Sequence, residues 1–155
     1  MPLKDDVIRQ YCKELNLFED QTTRILDLFH YMTELYPEQK FEDVFISESS
    51  GMGGERAWLT LFVFSNNAFV EASNPFQRIE ISITPYVTKC TYIQIIVNDF
   101  NTTGSPNEKS NLLVRAPFNE PTRWGFHATA SKQNCAKLWN IIENYIKKYL
   151  LYTEK

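Results

Sequence analysis

The sequence predicts an α+β domain: two N-terminal helices, then six or seven strands forming an antiparallel sheet or partly open barrel, closed by a long C-terminal helix. Three observations lead there. Apolar residues recur at helical spacing over the first forty positions and again from Cys135 to Leu150. Between them the period falls to two, or gives short apolar runs bounded by Gly, Pro, Asn and Ser. Consecutive strand candidates are joined by short turns with no helix between them, which favours antiparallel pairing over βαβ crossovers. The 155 residues suit one domain. Within it, 1–40 is a helical hairpin extension and 41–150 holds the sheet and the last helix.

The first helix is carried by Val7, Ile8, Tyr11, Cys12 and Leu15, with Asn16 as its stop. Asp20 is the expected N-cap of the second. There Ile25, Leu28, Phe29, Met32, Leu35 and Tyr36 form one stripe, ended by Pro37. Strands are then expected over Phe41–Ser47, Ala57–Phe64, Ala68–Ala72, Phe76–Thr84, Thr91–Asn98, Leu112–Arg115 and Arg123–Ala130. Ala57–Phe64 is almost wholly apolar and should be central, covered on both faces. In Phe76–Thr84, Ile79, Ile81 and Ile83 alternate with Arg78, Glu80 and Ser82, giving one wet face. Glu48–Glu55, with its three glycines, reads as a loop. Ser131 is the expected N-cap of the last helix. Its stripe runs Cys135, Leu138, Trp139, Ile142, Tyr145, Ile146, Tyr149 and Leu150, with Trp139 as a core plug.

The segment Trp124-Gly-Phe-His-Ala-Thr-Ala-Ser131, followed by Cys135-Ala-Lys-Leu-Trp139-Asn-Ile-Ile142, resembles the last strand and helix of the pleckstrin-homology-like superfold. The resemblance covers about residues 41–150. It implies a bent seven-stranded antiparallel sandwich plugged by the C-terminal helix, with the two N-terminal helices an addition. Lipid-binding members of that family carry Lys and Arg in the loop after the first strand. Here that loop offers Glu48, Glu55 and, as its one cation, Arg56. The resemblance therefore implies a protein or peptide ligand or a scaffold role, and not a phosphoinositide.

Composition narrows the function classes. Apolar residues make up 43 % and charged residues 23 % of the chain, as in an ordinary folded protein. The net charge is −3, with the acidic excess in the first sixty residues. No basic stripe occurs; the densest basic spot is Lys147-Lys148, at a helix end. Nucleic acid is therefore not an expected partner. The start MPLKDDVIRQ has no apolar run and no segment reaches ~18 apolar residues, so membrane insertion is not expected. Cys12, Cys90 and Cys135 are odd in number and form no CxxC, which fits reduced thiols in the cytoplasm.

No motif names a reaction, so no catalytic residue, metal or cofactor is expected. His30 has Asp27 and Glu34 one helical turn to either side and reads as a surface residue. His127 faces away from Trp124 and Phe126. Cys90 and Cys135 are the thiols available to complete a metal site or nucleophile pair with it, but no spacing demands either. Gly51-Met52-Gly53-Gly54 lacks the Lys-Ser/Thr of a P-loop and reads as a hairpin loop. The leading expectation is a non-enzymatic protein-interaction module binding a protein or peptide. Its ligand-binding candidates are Arg56, His127 and Arg123. The rivals are a small enzyme or ligand-binding protein, with a pocket between the N-terminal helices and the sheet, and a structural homo-oligomer.

Overall fold

The computed structural model describes residues 2–48, 59–73, 79–99, 110–119, 125–131 and 133–151. The chain is α+β. Its order is α1 (Asp5–Glu14), α2 (Glu19–Leu35), β1 (Asp43–Glu48), β2 (Leu59–Phe64), β3 (Ala68–Ser73), β4 (Glu80–Pro85), β5 (Gln94–Asp99), β6 (Ser110–Ala116), β7 (Phe126–Ser131) and α3 (Asn134–Ile141). A π-helical segment, Ile142–Leu150, continues α3. The strands form two antiparallel sheets, ordered β1-β2-β3-β4 and β5-β6-β7, with no closed barrel among the described residues. Two compact units result: Met1–Ile46 with Trp58–Pro85, and Ser47–Ala57 with Tyr86–Lys155.

In the first unit α1 stops where the sequence indicates. Asn16 takes φ +58°, a left-handed position that Asn tolerates. The Leu17 N–H donates to the Cys12 carbonyl at 3.1 Å and the Asn16 N–H to the Lys13 carbonyl at 3.0 Å, a Schellman cap. Helix α2 begins earlier than its expected Asp20 cap. Phe18 is the N-cap, and the Gln21 side-chain oxygen reaches back to accept the Phe18 N–H at 2.9 Å. Asp20 lies inside the first turn, where its carboxylate still favours the positive helix end.

The apolar stripes of both helices merge with one face of the first sheet. Ile8, Tyr11, Cys12, Ile25, Leu28, Phe29 and Met32 join Val44, Ile46, Leu61, Val63, Val70 and Ala72 in one buried cluster. The opposite face carries Phe45, Phe62, Phe64 and Phe69, all buried, with ring centroids 5.8–6.5 Å apart. Strand β2 is thus buried on both sides, as its apolar run predicts. The Ser65-Asn66-Asn67 turn joins β2 to β3. Its Ser65 hydroxyl is buried and accepts the Ala68 N–H at 3.2 Å.

In the second unit β7 alternates as the sequence indicates: Phe126, Ala128 and Ala130 are buried while His127 is exposed. Two expectations for the last helix are corrected. Ser131 does not cap it; it is the final residue of β7, and helical structure starts at Asn134. Trp139 is not a core plug but is 40 % exposed. The buried positions are Asn134, Leu138, Ile141, Ile142, Tyr145, Ile146 and Leu150. Within α3, at 3.6 residues per turn, the centre of Asn134, Leu138 and Ile141 lies on the side of Leu138 away from Trp139. The polar Asn134 belongs to this face, and its polarity hid the true centre in the sequence. Beyond Ile142 the turns widen: the Leu151 N–H donates to the carbonyl of Ile146, five residues back, at 3.0 Å.

The C-terminal carbonyls of this helix are held by the segment after β4. The Lys89 ammonium donates to the Tyr149 carbonyl at 2.5 Å, and the Cys90 N–H to that of Leu150 at 2.8 Å. A cation there complements the negative helix end. Tyr86 stacks on Tyr149, with centroids 4.6 Å apart and planes 4° from parallel.

Candidate functional site

The second sheet carries the site. Its register builds rows of side chains across all three strands. One row is Gln94, Arg115 and His127; the next on the same face is Ile96, Leu113 and Thr129. The opposite face bears Ile95, Val114 and Ala128, then Val97, Leu112 and Ala130. Gln94, Arg115 and His127 are all exposed, and the Ile96 row is half-buried. On the other face Leu112 is 2 % exposed and Ala130 1 %, but Val97 is 60 % exposed. Burial on that face therefore weakens at β5, where Ile95 is half-buried and Val97 forms an exposed apolar shelf.

Gly125 fixes where β7 enters this sheet. Its φ is +117°, a conformation that L side chains rarely adopt. A Cβ there would stand 2.2 Å from the Ala116 carbonyl oxygen and 2.6 Å from the Pro117 Cα. The close approach aligns Ala116 with Phe126 and Arg115 with His127. Directly opposed residues in an antiparallel pair have Cβ atoms about 4.5–5.5 Å apart, so the guanidinium and the imidazole share one small area. The His127 pKa is lowered from its ordinary 6.5, first by desolvation of the ring among its neighbours and second by the Arg115 charge.

Strand β5 is the last strand of its sheet among the described residues. At the other end of the sheet, the Thr129 N–H of β7 already donates to the Ser47 hydroxyl at 3.0 Å. Helix α3 lies against β6 and β7.

Of the three ligand-binding candidates, His127 lies in the row just described, while Arg56 and Arg123 lie outside the described residues, as does the Gly51–Gly54 cluster. Sequence reasoning missed Arg115, Gln94 and Val97. Strand alternation marks Arg115 as outward-facing, but only the register brings it beside His127. Nothing in Thr91–Asn98 distinguishes an edge strand from an internal one.

The first unit holds two further features. His30 is exposed, and its Nε2 lies 2.9 Å and 3.1 Å from the two Asp5 carboxylate oxygens. It thus ties α2 to α1, and its partner is neither Asp27 nor Glu34. An open groove of about 370 Å³ runs along α2, lined by Asp20, Thr23, Arg24, Asp27, Tyr31 and Ile79. His30 does not line it, and the apolar side chains of both helices pack with those of the first sheet in one buried cluster. Among the described residues no group of three or more His, Cys, Asp or Glu is placed to hold a metal ion. Cys12 and Cys90 are buried, and burial pushes both thiols above their ordinary pKa, away from a reactive thiolate. No described helix is long and apolar enough to cross a membrane. No family model, curated protein or solved structure matches this chain.

Proposed function

We propose that this chain is a non-enzymatic protein-interaction module of pleckstrin-homology-like fold that binds an extended segment of a partner by strand addition to β5. The order of elements supports the fold reading: a four-stranded antiparallel sheet, a three-stranded one, then a helix. The observation that carries the binding reading is the edge itself. Natural edge strands are blunted by Lys, Pro, bulges or shortness. In Gln94–Asp99 the one charge is at the last residue, the interior is Ile-Ile-Val, and Val97 stands 60 % exposed. By contrast β4, an edge of the first sheet, bears Glu80 and ends in Pro85. An added strand would gain main-chain hydrogen bonds from β5 and cover the Val97 shelf.

The test is recovery of partners from native lysate by the full chain, compared with Val97→Lys. Val97 is exposed, so the substitution spares the core. A partner that the parent chain retains and Val97→Lys loses, and that slows amide exchange in Gln94–Asp99, supports strand addition. A parent chain that stays monomeric and retains only what Val97→Lys also retains refutes it. Self-association through β5 would instead favour the homo-oligomer.

A further inference from the structure

Resting on that reading, we infer that the row Gln94–Arg115–His127 selects a carboxylate on the incoming segment, so that the partner is an acidic extended peptide. The geometry follows from the register. An added strand continues every row of the sheet, so the residue paired with Gln94 lies in line with Arg115 and His127. Its Cα falls about 10 Å from that of Arg115, two strand spacings away. An arginine and a glutamate side chain reaching towards one another close that distance, with the shorter Gln94 lying between their stems. The neighbouring row, Ile96–Leu113–Thr129, offers no charge.

Charge argues for the same occupant. Arg115 and His127 are two exposed basic groups placed directly opposite one another, an arrangement that costs stability when both are charged. Among the described residues, the face they share has no carboxylate: Pro117 and Gly125 lie beyond the row on one side and the Ile96 row on the other. The Arg115 charge already disfavours the His127 imidazolium. An incoming carboxylate reverses that balance and gains a charge-assisted hydrogen bond. Residues opposite Gln94 and Val97 are an odd number of positions apart and point to opposite faces. The preferred segment therefore alternates, with acidic residues on the Arg115 face and apolar residues on the Val97 shelf.

The experiment uses the full chain and two short acetylated probes: a peptide of alternating valine and glutamate, and its twin with glutamine for every glutamate. Affinity is measured by titration, and His127 is followed by NMR. The glutamate peptide should bind at least about tenfold more tightly than its twin, with a preference that weakens in salt. It should raise the His127 pKa. Arg115→Gln should abolish the preference, and Arg115→Lys should restore part of it; both changes are on an exposed side chain. Equal binding of the two peptides, with Gln94–Asp99 amides protected, overturns acid selection while strand addition stands. A preference that persists in Arg115→Gln also overturns it. Binding of neither peptide overturns both readings.

Discussion

Replacing Gly125 by alanine should be among the most damaging single-methyl additions in this chain. Two costs combine. At φ +117° a residue with a Cβ is strained by about 1–3 kcal/mol. The new methyl would also stand 2.2 Å from the Ala116 oxygen, about 1 Å inside contact, and 2.6 Å from the Pro117 Cα. Both are backbone atoms, so no side-chain rotation relieves the clash. Ala116 cannot retreat freely, because it is 1 % exposed and paired with Phe126. We expect a loss of at least about 3 kcal/mol, or roughly 6–12 °C in Tm for a chain of this length. Urea denaturation followed by circular dichroism measures it, with the slope showing that the transition keeps its character. The His127 resonances should shift in the same variant, because Gly125 sets the β6–β7 alignment. A loss below about 1 kcal/mol with an unchanged slope would refute the reasoning.

The other predictions concern titration, thiols and the last helix. His127 has a lowered folded-state pKa, so the unfolded chain binds its proton more readily. Stability should be fully present above the ordinary histidine value and decline as pH falls through 6.5, towards the lower folded value. His127→Gln should flatten that decline, and Arg115→Gln should move the His127 pKa only part of the way back, because desolvation is the larger cause. Unchanged profiles in both variants would contradict this. Iodoacetamide should label Cys135 in the native protein well before Cys12 and Cys90, which are 0 % exposed; equal labelling by mass spectrometry would count against the packing described. Trp139→Ala should cost about 1–2 kcal/mol and Leu138→Ala about 2–5, the reverse of their sizes, because Leu138 is fully buried and Trp139 is not. Denaturation midpoints with Trp139→Ala the more harmful would oppose the observed helix face.

The sequence by itself determined the element order, because this rests on interactions between near neighbours, while bounds moved by a few residues, as in β5, expected over Thr91–Asn98 and formed by Gln94–Asp99. The periods of α1 and α2, the Asn16 stop, the two-sided burial of β2 and the alternation of β7 are all local patterns. It failed where neighbouring patterns compete. Trp139 extends an apolar stripe as well as Leu138 does, and only packing chose the face centred near Leu138 and Ile141, with the polar Asn134 inside it. Asp20 and Ser131 are good caps by type, yet Phe18 holds one position and β7 runs through the other. The division of the described strands into a four-stranded and a three-stranded sheet was likewise a tertiary decision, since short turns are compatible with one sheet or two. The candidate site was the least legible feature. His127 was visible as an outward-facing residue, but Arg115 beside it, Gln94 in line with both and the uncovered Val97 depend on register and edge position. Those are properties of strands far apart in the chain, and no local pattern encodes which strand will be last in a sheet.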